Sequence, residues 1–279
     1  MVSINKLDFC YPQQSKLLEN LTLQLLPGHT HGLFGKNGEG KSTLLKLISG
    51  LVFPTGGEIS VLGFSPQKRA PQMLQNIYFL PEEYPEIISS IANFEKIYAP
   101  FYPNFNNAQF DNYLEEFEIK SKQSELNKLS QGQKKKVMIA FGLATNTPLL
   151  LMDEPTNGLD IPSKSQFRRM VASAANAERC IVISTHQVRD LEKLIDSVII
   201  MEQHQIQFHQ SIKNIISKLV FKETEFILPD DEPIYAEKSM RGVAQILENK
   251  NNENSTVDIE LLFNAILAKK TTICQLFEN

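Results

Sequence analysis

Residues 35–43 read Gly-Lys-Asn-Gly-Glu-Gly-Lys-Ser-Thr, and this stretch restricts the possible folds more than any other. Two glycines bracket four residues and are followed by Lys41 and Ser42, the spacing of a phosphate-binding loop. A triphosphate needs many hydrogen-bond donors at close range. Glycines let the backbone curl until its N–H groups point inward, because no Cβ blocks the approach. Lys41 can then reach the β- and γ-phosphates, and the Ser42 hydroxyl can hold Mg²⁺. The surroundings agree. Residues 30–34 can form a short strand entering the loop, and Leu44, Leu47 and Ile48 recur at helical spacing beyond it. Such a helix would aim the partial positive charge of its N-terminus at the phosphates.

The flanking pattern predicts an α/β chain. Residues 4–9, 21–26 and 58–62 read as strands separated by Pro-Gly and Gly-Gly turns. Residues 83–128 are crowded with aromatics, and Phe110, Tyr113, Leu114 and Phe117 fall at helical spacing, so a helical insert is expected there. Continuous apolar runs at 149–152, 181–184 and 197–201 alternate with helical segments, as in a mainly parallel sheet covered on both faces. Beyond about residue 204 the composition changes. Ile212, Ile215, Ile216 and Leu219 predict one helix. A strand is expected over 220–228. Met240, Val243, Ala244 and Leu247 predict a second helix. After a polar linker at 249–255, Ile259, Leu262, Phe263, Ile266 and Leu267 predict a third.

A phosphate loop alone means nucleotide binding; hydrolysis also needs an acid to organise metal and a group to position water. The run Leu-Leu-Leu-Met-Asp-Glu at 149–154 delivers Asp153 to the edge of a buried strand, where it can join the Mg²⁺ shell. Glu154, one residue on, can polarise the attacking water. Residues 129–133, Leu-Ser-Gln-Gly-Gln, make a second donor-rich helix entrance. A second phosphate-binding surface is hard to use within one chain that has a single phosphate loop; two chains paired head to tail could use it.

With these motifs in order, the chain resembles the ATP-binding cassette (ABC) ATPases, over roughly residues 1–205. Residues 35–43 resemble that family's first nucleotide motif, 129–133 its signature motif and 149–154 its acid strand. Residues 157–160 resemble the loop that contacts the second subunit, and Ser184-Thr185-His186 the switch histidine. The resemblance implies a P-loop NTPase fold of ABC type: a mainly parallel core sheet, an antiparallel N-terminal sheet, a helical insert at about 83–145 and a small α+β extension over 206–279. It implies that Tyr11 stacks on adenine. Gly35, Lys36, Asn37, Gly38, Glu39, Gly40, Lys41, Ser42 and Thr43 would hold the phosphates, and Ser42, Asp153 and Glu82 would surround Mg²⁺. Glu154 would position water and His186 would contact the γ-phosphate. Ser130, Gly132 and Gln133 would close over ATP held by a partner subunit, with Asp160 at the seam. Two departures are notable. Gln131 replaces a glycine of the commonest signature, and Glu82 stands where the family usually has glutamine.

The implied function is the ATP-hydrolysing subunit of a membrane transporter. Residues 83–136 and the last helical segment are similar to single-cassette subunits of bacterial exporters. The runner-up is a non-transport ABC ATPase acting on a ribosomal, DNA or protein complex. Such translation factors usually carry two cassettes in one chain, and DNA-repair relatives a coiled coil far longer than 83–128. No apolar run reaches the ~18 residues that span a bilayer, so the expected partner is a polytopic permease, with the chain peripheral on the cytoplasmic face. A net charge of −4 gives no nucleic-acid footprint. Three widely spaced cysteines argue against a disulfide framework and suit a reducing compartment. The run Lys134-Lys135-Lys136 is expected to be a solvated helix face, and His29 and His31 core-edge residues rather than a metal pair.

Overall fold

Alternating buried and exposed residues make the first two strands, β1 (Val2–Cys10) and β2 (Lys16–Leu25), one-sided. The computed structural model describes residues 1–13, 16–85, 87–227, 232–240 and 242–277. β1 pairs antiparallel with β2 and with β4 (Gly56–Val61), forming a three-stranded sheet of order β2-β1-β4. Between β2 and β4 lie β3 (Thr30–Phe34) and α1 (Lys41–Ile48), separated by the 35–40 loop.

The short α2 (Pro71–Leu74) and β5 (Ile77–Leu80) lead into three helices: α3 (Ile91–Tyr98), α4 (Asn107–Glu116) and α5 (Gln131–Ala144). Then come β6 (Leu149–Asp153), α6 (Ile161–Ala174), β7 (Cys180–Thr185), β8 (Ser197–Glu202) and β9 (Gln205–Ser211). The core sheet has the order β5-β6-β7-β3-β8-β9, parallel except for the β8–β9 hairpin. β3, β6 and β7 are buried at every position; β6 and β7 are accordingly largely apolar without alternation, whereas β3 buries Thr30 and His31 beside Leu33 and Phe34. Because β3, β6 and β7 run parallel, their C-terminal ends bring residues 35, 153 and 185 to one edge, next to α1.

The chain ends with α7 (Ile212–Lys218), β10 (Leu219–Thr224), β11 (Tyr235–Ser239), β12 (Gly242–Glu248) and α8 (Ile259–Gln275), the strands forming a second antiparallel sheet of order β10-β12-β11. The helix expected through Met240, Val243, Ala244 and Leu247 is not formed. Met240 is fully exposed, and residues 242–248 are β12, with Ile246 opposite both Phe221 and Tyr235. Over so short a run, helical and extended spacings both match; pairing with β10, some twenty residues away in sequence, decides. Of the strand expected over 220–228, residues 219–224 form β10, and residue 228 lies outside the described residues. β9, just beyond the expected end of the cassette at 205, belongs to the core sheet.

Candidate functional site

The loop after β3 turns through Gly38 at φ +87° and Gly40 at φ +104°. Gly40 is the N-cap of α1 and offers no side-chain cap, so the first N–H groups of that helix remain donors for an anion. Lys36, Asn37 and Gly38 are exposed, while Lys41 is buried. Lys41 Nζ donates to the Gly35 carbonyl at 2.7 Å and the Lys36 carbonyl at 3.0 Å. Burial lowers its pKa, opposed by the carboxylates of Glu154, Asp153, Glu39 and Glu82, which therefore all act on this one ammonium. The loop is braced from the β8–β9 turn: Glu39 Oε2 accepts from the His204 backbone N–H at 2.9 Å, and Lys36 pairs with Glu202 at 3.2 Å. Ser42 and Thr43 lie in the first turn of α1, and Tyr11 and Thr43 share a hydroxyl hydrogen bond of 3.2 Å.

The acids sit where β6 ends. Asp153 is 3% exposed and accepts a hydrogen bond from Ser184 Oγ of β7. Glu154 is 5% exposed and has φ +46°, a left-handed conformation unfavourable for a residue with a Cβ. Its side chain is held on both oxygens. Oε2 accepts from Thr185 Oγ1 at 3.0 Å; Oε1 accepts from the His186 backbone N–H at 2.9 Å and lies 2.8 Å from His186 Nδ1. A carboxylate fixed in this way can face a water in a defined direction and take up its proton. Glu82, two residues beyond β5, accepts from Asn157 Nδ2 at 2.9 Å.

Ser130, Gly132 and Gln133 open α5. Ser130 Oγ accepts from Gln133 N–H and the Gln133 side chain accepts from Ser130 N–H, a reciprocal capping box. A Cβ on Gly132 would come within 3.1 Å of the Gly158 carbonyl, so α5 begins directly against the 157–158 loop. Among the described residues no hydrogen bond joins Ser130, Gly132 or Gln133 to the 35–43 loop; Gly132 lines one cavity with Glu82 and Asn157, and Gly35 and Lys36 line another with His186. Asp160 caps α6 by accepting from Ser163 N–H at 2.9 Å, and hydrogen bonds from the Ser163 hydroxyl and backbone N–H hold its carboxyl below the usual range.

The donors fit Mg²⁺. Ser42, Asp153 and Glu82 offer hard oxygens, whereas among the described residues no three His, Cys, Asp or Glu side chains form a metal cluster by themselves. An ion that keeps waters and takes phosphate oxygens needs only such a partial set.

Two features escaped sequence reasoning. The lysine run is not uniformly solvated: Lys135 is 8% exposed, its ammonium on the Glu154 and Asn157 carbonyls at 3.1 Å each. Lys136 instead lies over the Phe117 ring, 5.8 Å from its centre. A lysine at the fifth position after a signature turn carries no mark of burial in sequence. The hold of Thr185 on Glu154 is the second, although Thr185 is the middle residue of the Ser184-Thr185-His186 motif.

A phosphate loop before a helix, in a mainly parallel sheet whose strand ends carry Asp153 and Glu154, defines a P-loop nucleoside triphosphatase. Residues 18–157 match the ABC transporter family, and the chain belongs to it as an ATP-binding domain and an ATPase. It is 28% identical over 194 residues to the ABC transporter ATP-binding protein YtrB of Bacillus subtilis, a match covering 69% of this chain and 66% of YtrB. A solved ATP-binding subunit of an ABC transporter shares 26% identity with a TM-score of 0.68, over 77% of this chain and 91% of that one. A bacterial Atm1-family ABC exporter with ATP bound has a TM-score of 0.65 at 21% identity, over 77% of this chain and 39% of that one; this is a likeness of fold.

Proposed function

We propose that the chain powers a membrane transporter in the export direction, as one of two nucleotide-binding subunits, alike or different, paired head to tail. The pairing is supported by one observation above others: among the described residues Ser130, Gly132 and Gln133 make no hydrogen bond to the 35–43 loop of their own subunit, and Gly132 lines a cavity that Gly35 and Lys36 do not. In this reading the phosphate that the entrance serves is brought by another chain. In this reading Tyr11 stacks on adenine and residues 35–43 cradle the phosphates. Ser42, Asp153 and Glu82 hold Mg²⁺, which when bound neutralises phosphate charge. Lys41 leaves the loop carbonyls for the β- and γ-phosphates. Glu154 orients the water and accepts its proton, while His186 and Thr185 keep the carboxylate aimed. Ser130, Gly132 and Gln133 close over the partner's γ-phosphate, and Asp160 lies at the seam. The export direction rests on the likeness of residues 83–136 and of the last helix to exporter subunits. Ile97, Tyr98 and Phe101, all exposed on the helical insert, are proposed to meet a permease helix.

Glu154→Gln tests the catalytic reading. It should bind ATP as tightly as the parent, lose about 10²- to 10⁴-fold in turnover and accumulate as an ATP-bound dimer in light scattering. Normal phosphate release by this variant would remove Glu154 from the chemistry and with it the reading.

A further inference from the structure

We propose that Lys135 is a positioning residue for ATP hydrolysis. It ties the signature helix to the Glu154 backbone within one subunit and balances the added charge of Glu82. The inference rests on the reading of the site given above.

Lys135 lies on α5, two residues beyond the Ser130–Gln133 capping box. Its ammonium donates to the carbonyl of Glu154 and to the carbonyl of Asn157, both at 3.1 Å. These carbonyls belong to the segment that leaves β6 and carries the hydrolytic carboxylate. Glu82 joins the same place through Asn157 Nδ2, and Glu82, Gln131, Gly132, Lys135, Asn157 and Gly158 line one cavity of about 490 Å³. A buried ammonium stays charged only if bonds and nearby charges repay its lost hydration. Here burial lowers the pKa of Lys135, and the carboxylates of Glu82, Glu154, Asp153 and Glu83 oppose that fall, with Glu82 the strongest.

Lys41 feels three of the same acids, Glu82, Asp153 and Glu154. In the proposed cycle its ammonium turns to the phosphates, which leaves Lys135 on the acid cluster. Glutamate at position 82, where the family usually has a neutral glutamine, makes that cation more necessary.

Steady-state ATPase kinetics of the full chain test this, with melting temperature recorded for each variant. Lys135→Met, which keeps the length of the stem, should lower kcat about 10- to 100-fold with KM within about twofold. Lys135→Arg should recover most of the loss. In a Glu82→Gln background the same Lys135→Met change should cost less than about threefold, because less charge is left to balance. A merely structural lysine would lower the melting temperature and leave the kcat of the folded fraction unchanged, and that result overturns the proposal. So does an equal cost of Lys135→Met with Glu82 or Gln at position 82. Should Lys135→Met fail to fold, Lys135→Gln is compared with Lys135→Arg: lower kcat for Gln supports the proposal and equal kcat overturns it. Glu154→Gln, run alongside, separates the two failures. Normal turnover there sinks the reading of the site, whereas lost turnover there with unchanged Lys135 variants sinks only this inference.

Discussion

His31 and Lys135 are both polar residues inside the molecule, and burial lowers the pKa of each, but their surroundings differ. Lys135 finds two carbonyls and an acid cluster that oppose the fall. His31, 2% exposed on β3, has its ring 5.8 Å from that of His29 and 5.6 Å from that of His209; burial, followed by repulsion from His209 and His29, lowers its pKa from 6.5 to about 3. Between those values the unfolded chain binds a proton that the folded chain refuses. Stability therefore rises with pH across this window and is lost as pH falls through it. At pH 5 the loss from His31 is about 2 kcal/mol relative to pH 7. His31→Leu should flatten this acid limb, leaving the smaller part due to His209, whose pKa is also lowered by burial. Urea midpoints at pH 5 and pH 7 measure it; an unchanged difference between them would show that His31 titrates normally. At this scale the phosphate loop was legible because glycine spacing acts on adjacent peptide units. The Asn157 link to Glu82 and the burial of Lys135 were not, since each joins residues distant in sequence.

Among the elements, α5 serves both the site and the insert. Its first turn carries the signature residues, and further along it Phe141, 1% exposed, is the centre of an aromatic cluster. The rings of Phe94 and Phe105 lie 4.9 Å from it, with those of Phe110, Tyr78 and Tyr102 at 5.7, 5.8 and 6.0 Å. Phe141→Ala should cost about 3–5 kcal/mol in chemical denaturation, because α3, α4, β5 and α5 all close on that ring. A loss under about 1 kcal/mol would mean that the insert packs without it. The aromatic crowding of residues 83–128 and the helical spacing of Phe110, Tyr113 and Leu114 pointed to a helical insert, but Phe141 at the centre of the cluster and Tyr78 lie outside that stretch and carried no such signal. β12 was not announced. Seven residues offer too few periods to separate a helix from a strand, and its partner β10 is reached only through the tertiary fold.

At the level of the whole molecule, the parallel strands of the core sheet bring their C-terminal ends and the phosphate loop to one edge, while the α5 entrance opens on a different cavity. Among the described residues no helix is long and apolar enough to cross a membrane. A transporter subunit of this kind should co-purify with a polytopic permease from detergent-solubilised membranes, and inside-out vesicles bearing the pair should accumulate cargo when ATP is added outside. Recovery only with ribosomes or soluble complexes would favour the non-transport alternative. By itself the sequence determined the nucleotide chemistry and the order of the motifs, because phosphate loops, capping turns and buried strands are written in spacings of a few residues. Tertiary structure alone decided which member of a lysine run is buried, that residues 242–248 extend rather than coil, and how Glu154 is held by Thr185 and His186. The physical reason is common to all three. Burial, strand pairing and charge compensation depend on what arrives from distant parts of the chain, and no local spacing encodes that.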